Sequence, residues 1–433
     1  MTGRIRLGAD VGGTFTDVVL ATGEDLVTAK VPSTADQSVG VLHGIEKACE
    51  DAGIDPTAVD EFTHAMTVSV NALLERDGAK TALVTTEGFR DVLEIGRQDR
   101  PDLYDLSAER PEPLVPRRRR FEIPERSTPE GVEAGVDEAA VRDVAAEIRE
   151  SDAESVAVSL LHAYANPRNE QRMVEILKTE LDVPISASHE VLAEFREYER
   201  TSTTVVDAYV TPAIDRYLGQ LSQRAAEIGL PEPLVMQANG GIAAVDTVRE
   251  HAVTTTMSGP AAGVVGANAA AGEVAEERGL HGLVTFDMGG TSSDVSLIRD
   301  GEAERTTDAE INGQPVRTPM VDVTTVGAGG GSIAWVDSGG ALRVGPESAG
   351  SDPGPACYGN GGTEPTVTDA NLVLGYIGES TALGGELALD ADAAFDVLAD
   401  LAEEAGLGGP LDAARGVYRV ANANMARAIR SAT

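Results

Sequence analysis

The chain writes nearly the same glycine-rich loop twice. Residues 10–20 read DVGGTFTDVVL and residues 287–297 read DMGGTSSDVSL; seven of these eleven positions are identical, and Thr16 is exchanged for Ser293. Each copy sits between short apolar stretches that read as two strands around a tight turn. RIRLGA (4–9) and DVVLA (17–21) flank the first loop, and GLVTFDMGGTSSDVSLI (282–298) contains the second. One such hairpin is ordinary, but a matched pair this far apart points to two homologous halves.

The loops also carry a chemistry. The Gly pairs Gly12–Gly13 and Gly289–Gly290 are expected to take positive φ and turn backbone N–H groups inward, which makes an anion-binding concavity. Thr14 and Thr16 in the first loop, and Thr291 and Ser292 in the second, add hydroxyl donors. The leading carboxylates, Asp10 and Asp287, would repel a phosphate unless a cation stood between. Mg²⁺ suits that place, because it accepts few carboxylates and keeps its waters. Two such loops can hold one polyphosphate from both sides. Asp17 and Asp294 are expected to brace their own hairpins through backbone hydrogen bonds.

Between the loops, strands and helices alternate. Helices are expected at 38–53, 137–150 and 168–181, with strands at 81–89 and 155–164, so the first ~190 residues read as an α/β domain. Residues 191–230 read as helical, 233–242 as a strand, and MSGPAAGVVGANAAAG (257–272) as a Gly/Ala helix able to pack very closely. TTVGAGGGSIAWV (324–336) reads as a Gly-rich turn entering a strand, and 341–362, dense in Gly and Pro, as a shaped loop. The segment from 411 reads as an amphipathic helix, and without a closing Gly or Pro the chain is expected to be cut at Thr433. Domains are expected at 4–190 and 200–433.

Composition narrows the partners. There are 71 acidic against 34 basic residues, a net charge of −37, spread along the chain. The basic residues include only four lysines, Lys30, Lys47, Lys80 and Lys178. Such a surface fits solvation in concentrated salt, a halophilic habit, better than a basic partner, and it excludes nucleic acid, whose phosphates need neutralising. The Arg block PRRRRFEIPER (116–126) is expected to be a salt-bridged exposed strand or loop. Two cysteines, Cys49 and Cys357, make neither a disulfide framework nor a metal spacing, and Cys357 reads as a small buried thiol. No apolar run is long enough to span a bilayer and no signal peptide is read, so a soluble cytoplasmic protein is expected.

The paired D-x-G-G-T hairpins resemble those of the actin, sugar-kinase and heat-shock ATPase superfamily. LLERDGAKTALVTTEGFRDVLEIGRQDRPDLYDL (73–106), EYERTSTTVVDAYVTPAIDRYL (197–218), MSGPAAGVVGA, VGAGGGSIAW and RVGPESAGSDPGPACYGNGGTEPTVTDANLVLG (343–375) extend the likeness. Together with the hairpins they resemble the A subunit of the hydantoinase/5-oxoprolinase family, in order, over almost the whole chain. The resemblance implies an α/β fold of duplicated ribonuclease-H-like domains with a nucleotide cleft between them. It also implies ATP and Mg²⁺ as cofactors.

The implied activity is ring-opening hydrolysis of a cyclic amide, a hydantoin or 5-oxoproline, after phosphoryl transfer to its carbonyl oxygen. The implied partner is a B-type subunit in a hetero-oligomer. An A-type subunit of a ketone carboxylase is the alternative, and an actin-like regulatory ATPase without small-molecule turnover is the alternative of another class. Asp10 and Asp287 are then assigned to hydrated Mg²⁺, the two hairpin loops to phosphate, and Gly329, Gly330 and Gly331 to close approach of nucleotide or to a tight packed turn. Asp322 is a catalytic or Mg²⁺-shell candidate, or an ordinary strand-end carboxylate. His64 with Asn71 could line a carbonyl pocket or lie in the core. Arg97 and Arg100 could orient a substrate carboxylate or pair with Asp99 and Asp102. Ala65-Met66-Thr67 departs from the family's Gly-Thr-Thr-like run, which leaves the substrate class open.

Overall fold

A computed structural model describes residues 4–432 except 14, 24, 35, 101, 106 and 379–387. The chain forms two compact units that interleave along it: residues 1–62, 259–305 and 321–433 make one, and residues 63–258 with 306–320 make the other.

The first unit holds both hairpins. Ile5–Val11 and Phe15–Thr22 pair antiparallel, and Asp25–Pro32 adds a third antiparallel strand beside the second. Buried Leu7, Ala9, Val11, Val18 and Leu20 alternate with more exposed positions, the period-two pattern of a half-buried sheet. The helix Gln37–Ala52 lies on this sheet. Asp36 caps its first turn, and Gly53 ends it in the left-handed conformation with φ 65°. Gly44 lets the helix come close, since a Cβ there would stand 2.8 Å from Val18 Cγ2.

The second hairpin repeats the design. Gly282–Met288 and Ser293–Arg299 pair antiparallel, and Val323–Val326 adds the third strand beside Ser293–Arg299. The helix Ser258–Glu277 packs on it through Ala261 and Val264, which meet Ile298, Val321 and Leu283. Ser332–Val336 and Leu342–Ser348 form a further hairpin. The 341–362 stretch expected as loop therefore begins as a strand, because Leu342 and Val344 pack beside the helices Ala391–Glu404 and Pro410–Ala432.

The second unit centres on a parallel sheet. Ile185–Ala187, Ser155–Ser159, Thr81–Thr86 and Arg120–Ile123 lie in that spatial order and run parallel throughout. Buried on both faces, Thr81–Thr86 and Ser155–Ser159 show no exposed position. Helices Glu138–Glu150 and Arg168–Glu180 share one core with this sheet. The 31-residue helix Glu197–Glu227 packs against Ser155–Ser159 and starts later than expected, since 192–196 is irregular. The Arg block is salt-bridged and its Arg117 and Arg118 are exposed as expected, but Arg120 departs from that reading: it is 3% exposed in the edge strand, where it pairs with Glu94 and Asp91, and Arg117 also holds Asp91.

Candidate functional site

The two loops close in the same way. Gly12 N–H donates to Phe15 O at 3.0 Å, and Gly289 N–H donates to Ser292 O at 2.9 Å. The Gly pairs were expected to take positive φ, but Gly12, Gly13 and Gly289 do not enter the left-handed region. Space is the physical reason for Gly12, where a Cβ would lie 3.1 Å from Phe15 O. Among the described residues, the N–H groups of Gly290 and Thr291 make no hydrogen bond to the protein, and Thr291 is exposed. Thr14 lies outside the described residues.

Cross-strand register puts carboxylates face to face in both hairpins. Asp10 is directly opposite Asp17, and Asp287 directly opposite Asp294. Like charges in such pairs destabilise a sheet. The third strand relieves the inner member each time. Lys30 Nζ lies 2.6 Å from both carboxylate oxygens of Asp17, and Thr325 Oγ1 donates to Asp294 at 2.7 Å. Asp17 and Asp294 are thus braced by side chains of the third strand rather than by backbone groups.

Asp10 is pushed up to about 6. Loss of hydration dominates, the charges of Asp17 and then Asp287 add to it, and Lys30 opposes it. Asp294 is also raised, by burial and by the charge of Asp287, against the Thr325 hydrogen bond. The two hairpins are therefore electrostatically coupled through Asp10 and Asp287. One helix underlies both. A Cβ on Gly259 would stand 3.6 Å from Asp10 Oδ1, and one on Gly263 would stand 3.3 Å from Asp287 Oδ2. A groove of about 370 Å³ continues along this helix past Pro260, Val264, Ala267 and Phe286 to Asp287 and Asp294.

Other candidates lie apart from this pair or serve it indirectly. Thr16 and its register equivalent Ser293 are fully buried. Thr16 meets Ser33 Oγ at 3.4 Å, and Ser293 donates to Ala328 O at 2.5 Å, so both brace the loops from beneath. Ser292 corresponds to Phe15 and is half-buried. Gly330 N–H and Gly331 N–H donate to Gly289 O and Gly290 O at 3.0 and 2.6 Å, and Gly329 N–H donates to Ser332 Oγ at 2.9 Å. The glycine triplet packs on the second hairpin with its amides engaged. Asp322 is exposed, just ahead of the strand Val323–Val326 and three residues from Thr325, and its backbone carbonyl accepts from Ser296 Oγ at 2.7 Å.

In the second unit His64 is buried and bonds Tyr217 at 2.7 Å, a core histidine. Arg97 is clamped by Glu199, with both bonds at 2.6 Å, while Asp99 pairs with Arg110 and Asp102 caps the Tyr104 and Asp105 amides. Arg97 and Arg100 line a polar basin of about 980 Å³. Sequence reading missed Gly259 and Gly263 as neighbours of the carboxylates, although their four-residue spacing on a Gly/Ala helix was the available signal. Among the described residues no group of three or more His, Cys, Asp or Glu could hold a metal, so a cation at Asp10 and Asp287 must complete its shell with water and phosphate. Facing carboxylates with one lysine among them suit such a cation. No helix among the described residues is long and apolar enough to cross a membrane.

Two family profiles match the chain: the hydantoinase/oxoprolinase N-terminal region over residues 6–181, and hydantoinase/oxoprolinase over residues 200–433. The caprolactamase subunit alpha of Pseudomonas jessenii is 40% identical over 98% of this chain and 62% of its own length. The 5-oxoprolinase 1 of Arabidopsis thaliana is 36% identical over 87% of this chain and 32% of its own length. Among solved structures, the ATP-dependent caprolactamase from Pseudomonas jessenii superposes with a TM-score of 0.83 at 38% identity, over 99% of this chain and 63% of that one. The nucleotide-free structure of an acetone carboxylase, from a study of ATP-dependent acetone carboxylation, superposes with a TM-score of 0.82 at 30% identity, again over 99% and 63%. The chain thus spans less than two thirds of the length of these proteins. By profile, identity and α/β fold, it belongs to the hydantoinase/oxoprolinase family.

Proposed function

We propose that the chain is the nucleotide-handling part of an ATP-dependent, cytoplasmic enzyme that opens a cyclic amide of the hydantoin, 5-oxoproline or lactam type. The observation that carries this reading is the pair of matched hairpins, each with two facing carboxylates, coupled over one helix, with Lys30 paired to Asp17. A hydrated Mg²⁺ held by Asp10 and Asp287 would relieve that repulsion and screen the phosphoryl charge. ATP would supply the phosphoryl group that turns an amide oxygen into a leaving group.

The chain's own residues act by position. The amides of Gly290 and Thr291, with Gly13 and Thr14 of the first loop, would cradle phosphate, while Gly12 and Gly289, whose N–H groups close the turns, would hold the loops tight. Thr16, Ser292 and Gly329–Gly331 would keep the loops in shape, and Asp322 is left without a part. The common pattern of hairpin, third strand and packed helix is what two ribonuclease-H-like domains would leave in one chain. Relatives named as subunits alpha and gamma support a hetero-oligomer, with a B-type subunit as the proposed partner.

A ketone carboxylase is the second reading, favoured by the acetone carboxylase likeness. The higher identity to caprolactamase favours the amide. ATP hydrolysis measured with the partner subunit present should be stimulated by caprolactam, 5-oxoproline or hydantoin and lost in Asp10→Ala and Asp287→Ala. Stimulation only by ketones with bicarbonate would decide for the carboxylase. ATP hydrolysis indifferent to every small molecule would leave the regulatory module.

A further inference from the structure

Gly259 and Gly263 stand one helical turn apart, about 6 Å of rise, on the helix Ser258–Glu277. Each lies beneath a carboxylate from a different hairpin: Gly259 under Asp10, Gly263 under Asp287. The neighbouring Gly266 has nothing within 4 Å of where its Cβ would be. Glycine is a poor helix former, so its place at these two positions needs a reason other than propensity.

We propose that Gly259 and Gly263 are positioning residues that fix the separation of Asp10 and Asp287 by letting the helix backbone lie directly under both carboxylates. This rests on the reading that the two carboxylates share a cation. At 3.3 Å, a methyl on Gly263 is tighter than ordinary contact with Asp287 Oδ2, so that carboxylate must move by a few tenths of an ångström. At 3.6 Å, a methyl on Gly259 makes ordinary contact with Asp10 Oδ1, and only a larger side chain displaces it. Mg²⁺ demands near-ideal octahedral geometry, whereas Ca²⁺ tolerates irregular shells. A displaced carboxylate should therefore weaken Mg²⁺ more than Ca²⁺.

The test is calorimetric titration of Mg²⁺ and of Ca²⁺ into the 433-residue chain with ADP present, beside thermal unfolding. Gly263→Ala should bind Mg²⁺ about tenfold more weakly and lose preference for Mg²⁺ over Ca²⁺, while its Tm holds or rises, because Ala favours the helix. Gly266→Ala should bind as the parent does, and Gly259→Val should weaken Mg²⁺ as Gly263→Ala does. Should Gly263→Ala fail to fold, Gly259→Val against Gly266→Val, the same side chain on the same helix away from both carboxylates, decides alone. Parent-like Mg²⁺ affinity in the larger-residue variants, with binding abolished in Asp10→Asn, overturns the positioning role and leaves the cation site standing. No Mg²⁺ binding by the parent chain overturns both.

Discussion

Gly329 packs so closely against Gly290 that a Cβ would stand 2.7 Å from both the carbonyl carbon and the carbonyl oxygen of that residue. Both atoms are backbone, so relief cannot come from a side-chain rotation. The loop that carries Gly290 must shift, and with it the free amides of Gly290 and Thr291. Gly329→Ala should cost about 1–3 kcal/mol, as overpacking does, and weaken ADP binding as well. Gly327→Ala is the control, because its Cβ meets only Pro346 O at 4.0 Å. Thermal unfolding and ADP titration of the two variants check this; matched behaviour would mean the hairpin loop yields freely.

Asp10 gives the site a pH dependence. Its folded value of about 6 stands above the ordinary 3.8. A raised carboxylate is favourable to the fold while protonated, below pH ~4, and that contribution is lost as pH rises through about 6. Asp10→Asn should therefore stabilise the cation-free chain at pH 7–8, by on the order of 1 kcal/mol after a discount for the solvent that still reaches this strand edge, and should confer nothing at pH 4. Cation affinity has the opposite course. It needs the ionised form, so Mg²⁺ binding should rise through pH 6 in the parent. Unfolding curves of both proteins at pH 4 and pH 8 decide the first point, and Mg²⁺ titrations across pH 5–8 the second.

Lys30 should set where that titration falls. It pairs with exposed Asp17 at 2.6 Å and lowers Asp10 through its charge. An exposed pair contributes little stability, about 0–1 kcal/mol. Lys30→Met should therefore unfold near the parent's Tm while the midpoint of Mg²⁺ binding moves to higher pH. A midpoint that stays in place, with Mg²⁺ affinity unchanged at pH 6, would show that Asp10 does not feel this lysine.

The repeat of DVGGTFTDVVL as DMGGTSSDVSL makes both hairpins legible in the sequence, because period-two alternation and a Gly-Gly turn are local signals. The places of Asp10 and Asp287 near the ends of the first strands were readable for the same reason. The partners of Asp17 and Asp294 were not: Lys30 and Thr325 reach them through strand register, which a single sequence does not encode locally. Thr16 illustrates the same limit. Its hydroxyl looked available to a ligand, yet alternation turns it beneath the sheet, where it is fully buried. Asp322, exposed just ahead of the strand Val323–Val326, fits the ordinary strand-end carboxylate that its position also allowed. The role of Gly331 was ambiguous because close backbone approach serves a ligand and a neighbouring loop equally well. Its N–H, 2.6 Å from Gly290 O, resolves it toward the loop.

The cysteines should be chemically silent. Cys357 is fully buried, and loss of hydration, then the nearby Asp369 carboxylate, push its thiol far up. Its own N–H donates to Asp369 Oδ1 at 2.8 Å, and that carboxylate also accepts from Thr366, so the charge beside the sulfur is fixed in place. Cys49 is 2% exposed, and its thiol is raised as well, by burial and by Asp55. Only a thiolate attacks or is alkylated readily, so neither sulfur is set up as a nucleophile. A disulfide-exchange reagent at pH 8 should label no thiol in the native chain and two in denaturant. Cys357→Ser should keep nucleotide binding at the parent level, with a stability loss of about 1 kcal/mol from the altered packing. Fast native labelling of one thiol, with nucleotide binding or turnover lost in step, would instead put Cys357 at the site.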